Sequence, residues 1–400
     1  MSSLCIEKRK TMQLNHSIQE KSVLKKITLL LLFSLILSLL LSSCLFLSFE
    51  MIEQDDKTLL EESEARNDSE TTEHEENRNQ ESEEDNDSPI DSEIFSHGAR
   101  AYEHLEYIQA NLPYRLAFTE NERAAANWIV DQLSLIGFAD EDIEVQEFTR
   151  ERLNEVGISD RFFYHFEVIG YLDGLEYIGY SQNIIATMPG ESEEVILVMA
   201  HYDGVRNVGI TDNASGVVLL LENAENLFEE ELPYTIKYIF FGAEEMKFLG
   251  AQYYLYNLSE EEKDNILMVI NADVLFDEDT LFYSTGVHDP EVDWRVDNEI
   301  SMQIQDLVEE LELDVIFRDD GIYMPSDQIP FVHEGMTALV FYAIDAEMNS
   351  DGSTRRIERS FFHTEYDNLY SINEAFPGRI ERALGIYGLF LEEVLRMNFA

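Results

Sequence analysis

The sequence predicts an α/β domain, an open, largely parallel mixed sheet flanked by helices, and three observations point to it. From Ser96 onward, short apolar runs of strand length alternate with segments whose apolar residues recur at helical spacing, the pattern of strands joined by helical crossovers. Several runs are apolar throughout, as strands covered on both faces must be. The 400-residue chain has only two cysteines, Cys5 and Cys44, so the region beyond them depends on a hydrophobic core and not on disulfides.

Taken in order, residues 1–26 form a basic segment with Lys8, Arg9, Lys10, Lys21, Lys25 and Lys26, and residues 27–49 are an uncharged, Leu-rich run. A helix of about 20 apolar residues spans a bilayer. Basic residues before the run and acidic residues after it predict a cytoplasmic N-terminus and an extracytoplasmic remainder at the cell membrane. Leu41-Ser42-Ser43-Cys44 also resembles a lipobox, so a transmembrane anchor and a lipoprotein signal acylated at Cys44 both stand as readings. Residues 50–95 hold 19 acidic and 3 basic side chains with no aromatic before Phe95. Such a segment buries too little apolar surface to fold and reads as a disordered acidic linker.

Residues 96–400 read as one domain. Strands are expected at Ile143–Phe148, Asn183–Thr187, Glu194–Ala200, Thr235–Phe241, Leu267–Ile270 and Ala338–Tyr342, from alternating or continuous apolar runs. Helices are expected at Glu122–Ile136, Ser215–Leu227, Leu249–Tyr256, Glu299–Glu312 and Ala375–Met397. A stretch from Glu151 to Tyr180 has no place in this alternation. The formal net charge of -54 repels nucleic acid and anionic lipid headgroups, which argues against nucleic-acid partners. Beyond residue 95 the only lysines are Lys237, Lys247 and Lys263, so the acidic surface is expected to serve solubility in a saline or alkaline exterior. No internal repeat is present, and no protein partner is indicated.

Three apolar strands stop at metal-binding residue types: Val195–Ala200 before His201-Tyr202-Asp203, Ile236–Phe241 before Gly242-Ala243-Glu244-Glu245, and Leu267–Ile270 before Asn271-Ala272-Asp273. In an open α/β sheet, ligands bind beyond the carboxyl ends of the strands. Thr211-Asp212-Asn213-Ala214-Ser215-Gly216 precedes a helix, and Phe361-Phe362-His363-Thr364-Glu365-Tyr366-Asp367 lies near the C-terminus. Singly, Asp212 reads as a helix N-cap, His363 as a loop histidine, Glu244 and Glu245 as a solvated helical turn, and Asp273 as a turn residue. Converging together at apolar strand ends, the carboxylates would raise one another's pKa severely unless cations neutralised them.

In this set and order, the motifs resemble the co-catalytic zinc aminopeptidases of metallopeptidase family 28, in a membrane-anchored, bacterial form, from about Tyr102 to the C-terminus. The resemblance implies a zinc aminopeptidase fold of the phosphorylase/hydrolase kind and two Zn2+ or other divalent ions. It makes His201 and Asp273 ligands of one metal, Glu245 and His363 ligands of the other, and Asp212 the bridge. Asp203 would orient His201, Glu244 would be the general base, and Tyr323 would stand near the substrate oxyanion. Relatives with cysteines around the Tyr323 segment differ from this chain, which has Gly321, Ile322, Met324 and Pro325 there. The implied activity is removal of N-terminal residues from peptides. Alternatives are a single-zinc glutaminyl cyclase or a carboxypeptidase on the same fold, or a noncatalytic surface receptor on a peptidase scaffold. The receptor predicts missing ligands, and none is missing from the sequence.

Overall fold

Nine strands form a mixed sheet in a computed structural model that describes residues 97–158, 174–344, 346–348, 354–356 and 360–399. They are β1 (Ile143–Thr149), β2 (Tyr180–Met188), β3 (Ser192–His201), β4 (Tyr234–Phe241), β5 (Ile266–Ala272), β6 (Phe282–Asp289), β7 (Trp294–Val296), β8 (Ile316–Phe317) and β9 (Ala338–Tyr342). The spatial order is β1-β2-β4-β3-β5-β9-β6-β7, with β8 beside β6. The basic segment 1–26, the apolar run 27–49 with Cys44, the acidic linker 50–95 and residues 159–173 of the Glu151–Tyr180 stretch lie outside the described residues. Among the described residues, no helix is long and apolar enough to cross a membrane.

Four central strands, β4, β3, β5 and β9, run parallel, whereas β2 and β6 flank them antiparallel and carry β1 and β7 outward in the same manner. The sheet is therefore less parallel than the sequence suggests. Solvent explains the difference: β1 is largely exposed along its length, and an antiparallel margin tolerates a wet face that a parallel core does not. Along β3 the side chains alternate between two cores. Ile196, Val198 and Ala200 join the layer that includes helices Ala99–Asn111, Ser215–Leu227 and Arg379–Arg396, while Leu197 and Met199 join the layer with Leu249–Asn257 and Ile329–His333. Burial of each such aliphatic or aromatic side chain contributes roughly 1.5–3 kcal/mol.

Helix Ser215–Leu227 is buried on nearly every side, consistent with its run of Val and Leu. Its start lies directly against the end of β5. A Cβ at Gly216 would collide with the carbonyl oxygen of Ala272, so only glycine permits this approach, which carries the preceding Asp212 towards the strand ends. The expected Ala375–Met397 helix is instead two, Leu369–Ala375 and Arg379–Arg396. Pro377 and Gly378 divide them: proline brings no amide to a preceding turn, and Gly378 takes φ +85°. Strands β6, β7 and β8 went unanticipated because their sequences lack an apolar run. In β6, Ser284 and Thr285 are buried completely.

The last helix is fastened to the rest through Glu392, which accepts from Asn226 Nδ2 at 2.7 Å, lies 3.1 Å from His97 Nε2 and pairs with Arg396 at 3.1 Å. Burial pushes this carboxyl up, but the hydrogen bonds of His97 and Asn226 and the nearby cations outweigh it and leave it below its ordinary value. A lowered folded-state pKa adds stability above the unfolded pKa and loses it as pH falls through the folded one. Below about pH 4.5 the wild-type protein should thus lose stability more steeply than Glu392→Gln, which has no such proton to take up. Denaturant midpoints measured from pH 7 to pH 3 test this, and parallel curves would refute it.

Candidate metal centre

Because β3 lies between β4 and β5, three strand ends converge: His201 closes β3, with Glu244 and Glu245 after β4 on one side and Asp273 after β5 on the other. Asp212 arrives from the irregular turn before Ser215, where the Asp212–Asn213 peptide is cis. His363 comes from the loop before Leu369. Their ligand atoms form two groups, His201 with Glu244 and Asp273, and Asp212 with Glu245 and His363, each within 4.8 Å of one another.

Asp212 links the groups. Its Oδ1 lies 3.2 Å from His201 Nε2 and its Oδ2 lies 2.9 Å from His363 Nε2. Asp273 Oδ1 stands 3.2 Å from the same His201 nitrogen, and Glu245 Oε2 stands 3.1 Å from His363 Nε2. Asp212 Oδ2 is buried without a directed hydrogen bond despite the nearby imidazole. His201 Nε2 and His363 Nε2 also hydrogen-bond Asp273 and Glu245, each at 3.2 Å, so the ligand atoms cluster closely, and imidazole with carboxylate is a donor set that suits zinc. The chain's residues therefore fit divalent metal.

Electrostatics agrees with the geometry. Burial and the Asp212 charge push Glu245 up to about 7. Burial, then Asp327, Glu245 and Asp273, also drive Glu244 well above its usual value, with only His201 opposing. Burial would lower His363, but Asp212 and Glu245 raise it to about 10. For Asp212, burial opposes ionisation, yet the two histidines hold it well below the usual carboxylate range. Glu244, Glu245 and His363 thus have raised proton affinity, and a cation would compete with those protons, whereas Asp212 is already ionised.

Asp203 is fully buried, but its carboxylate does more than meet His201. It accepts from the amides of Glu244 at 2.9 Å and Glu245 at 3.3 Å, while His201 Nδ1 is 3.2 Å from the Asp203 carbonyl oxygen and 3.5 Å from its Oδ1. Tyr323 is held by residues outside the two candidate metal groups. Its hydroxyl meets His288 Nδ1 at 3.0 Å and its ring packs on Trp294. Next to the metal residues lies a cavity of about 330 Å³, with Phe248, Val274, Met324, Val340, Ile344 and Phe362 among its apolar walls.

Several residues here were not singled out from sequence. Arg115 is buried and donates to four backbone carbonyls, those of Tyr202, Leu112, Val208 and Gly209, so it fixes both ends of the loop between His201 and Asp212. Glu122 accepts from Ser181 Oγ and from the amides of Phe118 and Ala243. Asp327 and Asp367 are completely buried, and Asp367 accepts from the amides of Thr211 and Asp212. Asp367 ends the Phe361-to-Asp367 motif already marked, and Asp327 follows Tyr323 by four residues. Arg115 stands between Leu112-Pro113-Tyr114 and Leu116-Ala117-Phe118, and Glu122 in the polar start of a helix, and neither belongs to a motif.

A parallel-centred α/β sheet with paired imidazole and carboxylate groups at its strand ends defines a metal-dependent hydrolase. The family model for peptidase family M28 matches residues 183–386; the chain belongs to this family and is a zinc metallopeptidase. It is 26% identical over 333 residues to the alkaline phosphatase isozyme conversion protein of Escherichia coli K12, covering 74% of this chain and 88% of that one. Aminopeptidase Y of Saccharomyces cerevisiae is 34% identical over 97 residues, which is 24% of this chain and 18% of the yeast protein. A zinc aminopeptidase from Bacillus subtilis has the same fold, with TM-score 0.57 at 18% identity over 75% of this chain and 95% of that one.

Asp203→Ala should weaken metal binding roughly 10- to 100-fold, since it unties the amides of Glu244 and Glu245 as well as the His201 side. Zinc titration against a competing chelator measures this, and unchanged affinity would show that the brace is dispensable.

Proposed function

We propose that this protein is a two-zinc aminopeptidase that removes the N-terminal residue of peptides outside the cell. The observation that carries the reading is Asp212, whose two oxygens face two different histidines, an arrangement with a purpose only if two ions are shared. A cyclase using one zinc has no need of the second group. His201 and Asp273 would hold one ion, Glu245 and His363 the other, and Asp212 both. When bound, the ions polarise the scissile carbonyl and acidify the attacking water.

The chain's own groups supply the rest. Glu244 lies 3.9 Å from His201 Nε2, beside the metal-facing atoms but not shared between the two histidines as Asp212 is. Its buried setting raises its proton affinity, which suits a base that takes a proton from water and passes it to the leaving amine. The acidic cluster offers an electrostatic seat for the substrate's α-ammonium group, and the adjoining apolar cavity receives the first side chain. Tyr323 would serve the oxyanion only after its hydroxyl leaves His288. The N-terminal apolar run, as anchor or lipoprotein signal, would hold the domain at the outer membrane face, and residues 50–95 would be the tether.

Purified full-length protein should hold two equivalents of zinc and lose activity to chelators; one tight equivalent with full activity would favour the cyclase. Glu244→Gln should keep both ions and lose about 10²- to 10⁴-fold in kcat, whereas Glu245→Ala should lose metal. If Glu244→Gln turned over normally, or shed zinc as Glu245→Ala does, the division of roles between these neighbours would be wrong. Assays with aminoacyl, N-terminal glutaminyl and C-terminal reporter peptides separate aminopeptidase, cyclase and carboxypeptidase. Protease treatment of intact cells should remove the C-terminal domain, and its protection would overturn the topology.

A further inference from the structure

We infer that Asp277 is a positioning residue for His363, so that the loop carrying one metal's ligand, Asp273, also fixes the segment carrying the other's. This inference rests on the two-metal reading. Asp277 is buried at 1% exposure and makes none of the contacts of the metal groups. Its Oδ1 accepts from the amides of Phe361 at 2.7 Å and Phe362 at 2.9 Å, and its Oδ2 accepts from Ser360 Oγ at 2.5 Å. Those three residues immediately precede His363. Bonds to a charged acceptor are about twice as strong as neutral ones, and two adjacent amides on a single oxygen set the direction of the chain as well as its position.

The two sides of this clamp differ in rigidity. The Asp273–Asp279 loop is pinned at many points: Asp273 N to Phe341 O at 3.1 Å, Leu275 N to Ser215 Oγ at 3.1 Å, Glu278 N to Ala343 O at 2.8 Å, and Arg379 to the carbonyl of Asp277 and the carboxylate of Asp279. On the far side, His363 has a side chain 38% exposed, against 1% for His201, and a positive φ of 58°. A residue so exposed and so unfavourably twisted depends on its flanks. Asp277 holds the flank before it. After it, Asp367 binds the amides of Thr211 and Asp212, and Asn207 Nδ2 donates to Thr364 O at 3.1 Å. His201 needs no such clamp, because it ends β3 inside the sheet.

Asp277 therefore acts on one metal position and leaves the other alone. Asp277→Ala should lower affinity for one of two zinc equivalents by roughly 10- to 100-fold, the usual effect of a residue that orients a ligand, with the tighter equivalent unchanged. Asp277→Asn keeps the shape and an acceptor oxygen and should recover most of the loss. Zinc titration of the full-length metal-free protein with a competing chelator reads both affinities, and circular dichroism reads the fold. The double variant Asp277→Ala/His363→Ala should lose no more zinc than His363→Ala alone, since the two changes act through the same ligand.

Equal weakening of both equivalents would overturn the proposal, as would additive losses in the double variant or wild-type affinities in a folded Asp277→Ala. If the alanine variant does not fold, Asp277→Ser, whose shorter side chain cannot span the three donors of Ser360, Phe361 and Phe362, decides: selective weakening of one equivalent supports the clamp, and two unchanged affinities or a uniform loss refute it. A wild-type protein binding only one zinc would instead refute the two-metal reading beneath it.

Discussion

Repulsion among buried carboxylates is the constraint around which this domain is arranged. Asp203, Asp212, Glu244, Glu245, Asp273, Asp327 and Asp367 gather at one end of a sheet whose interior is Val, Ile, Leu and Phe. Unpaired, such charges cost far more than the surrounding core can offset. The structure divides them by partner. Asp212, Glu245 and Asp273 face imidazole nitrogens across points where metal ligands converge, while Asp203 and Asp367 each take two consecutive backbone amides.

That second group explains how loops of irregular backbone become a rigid site. Each bracing carboxylate reaches from one ligand-bearing loop to the amides of another: Asp203 from the His201 loop to Glu244 and Glu245, and Asp367 from the His363 loop to Asp212. Asp277 reaches in the same way from the Asp273 loop to Phe361 and Phe362. Negative charge thus satisfies the orphan N–H groups of the loops, and the loops disperse that charge. Arg115 adds an arginine to these bonds, bound only to carbonyl oxygens in the contacts described.

Sheet order does the remaining work. Of the strands that end in candidate metal residues, β3 is central, with β4 and β5 as its parallel neighbours on either side. His201 therefore has carboxylates on both flanks. The antiparallel margins allow the sheet to end against water, and Met324, Pro325 and Ser326, which follow Tyr323, line the cavity beside the candidate metal residues.

The sequence by itself determined the α/β class, the central strands β3, β4, β5 and β9, helix Ser215–Leu227 and the candidate metal residues. Each has a local signature, an apolar run whose period or abrupt end is written in adjacent residues. Only the tertiary structure decided the antiparallel margins, the direction of the Tyr323 hydroxyl and the roles of Arg115, Glu122, Asp277 and Asp367. These depend on partners tens to hundreds of residues away, such as Glu122 with Ala243 or Asp367 with Thr211. A buried carboxylate that braces a distant loop has the same local sequence as an acid in a solvated turn, because what distinguishes them is the backbone amide that folding brings to it.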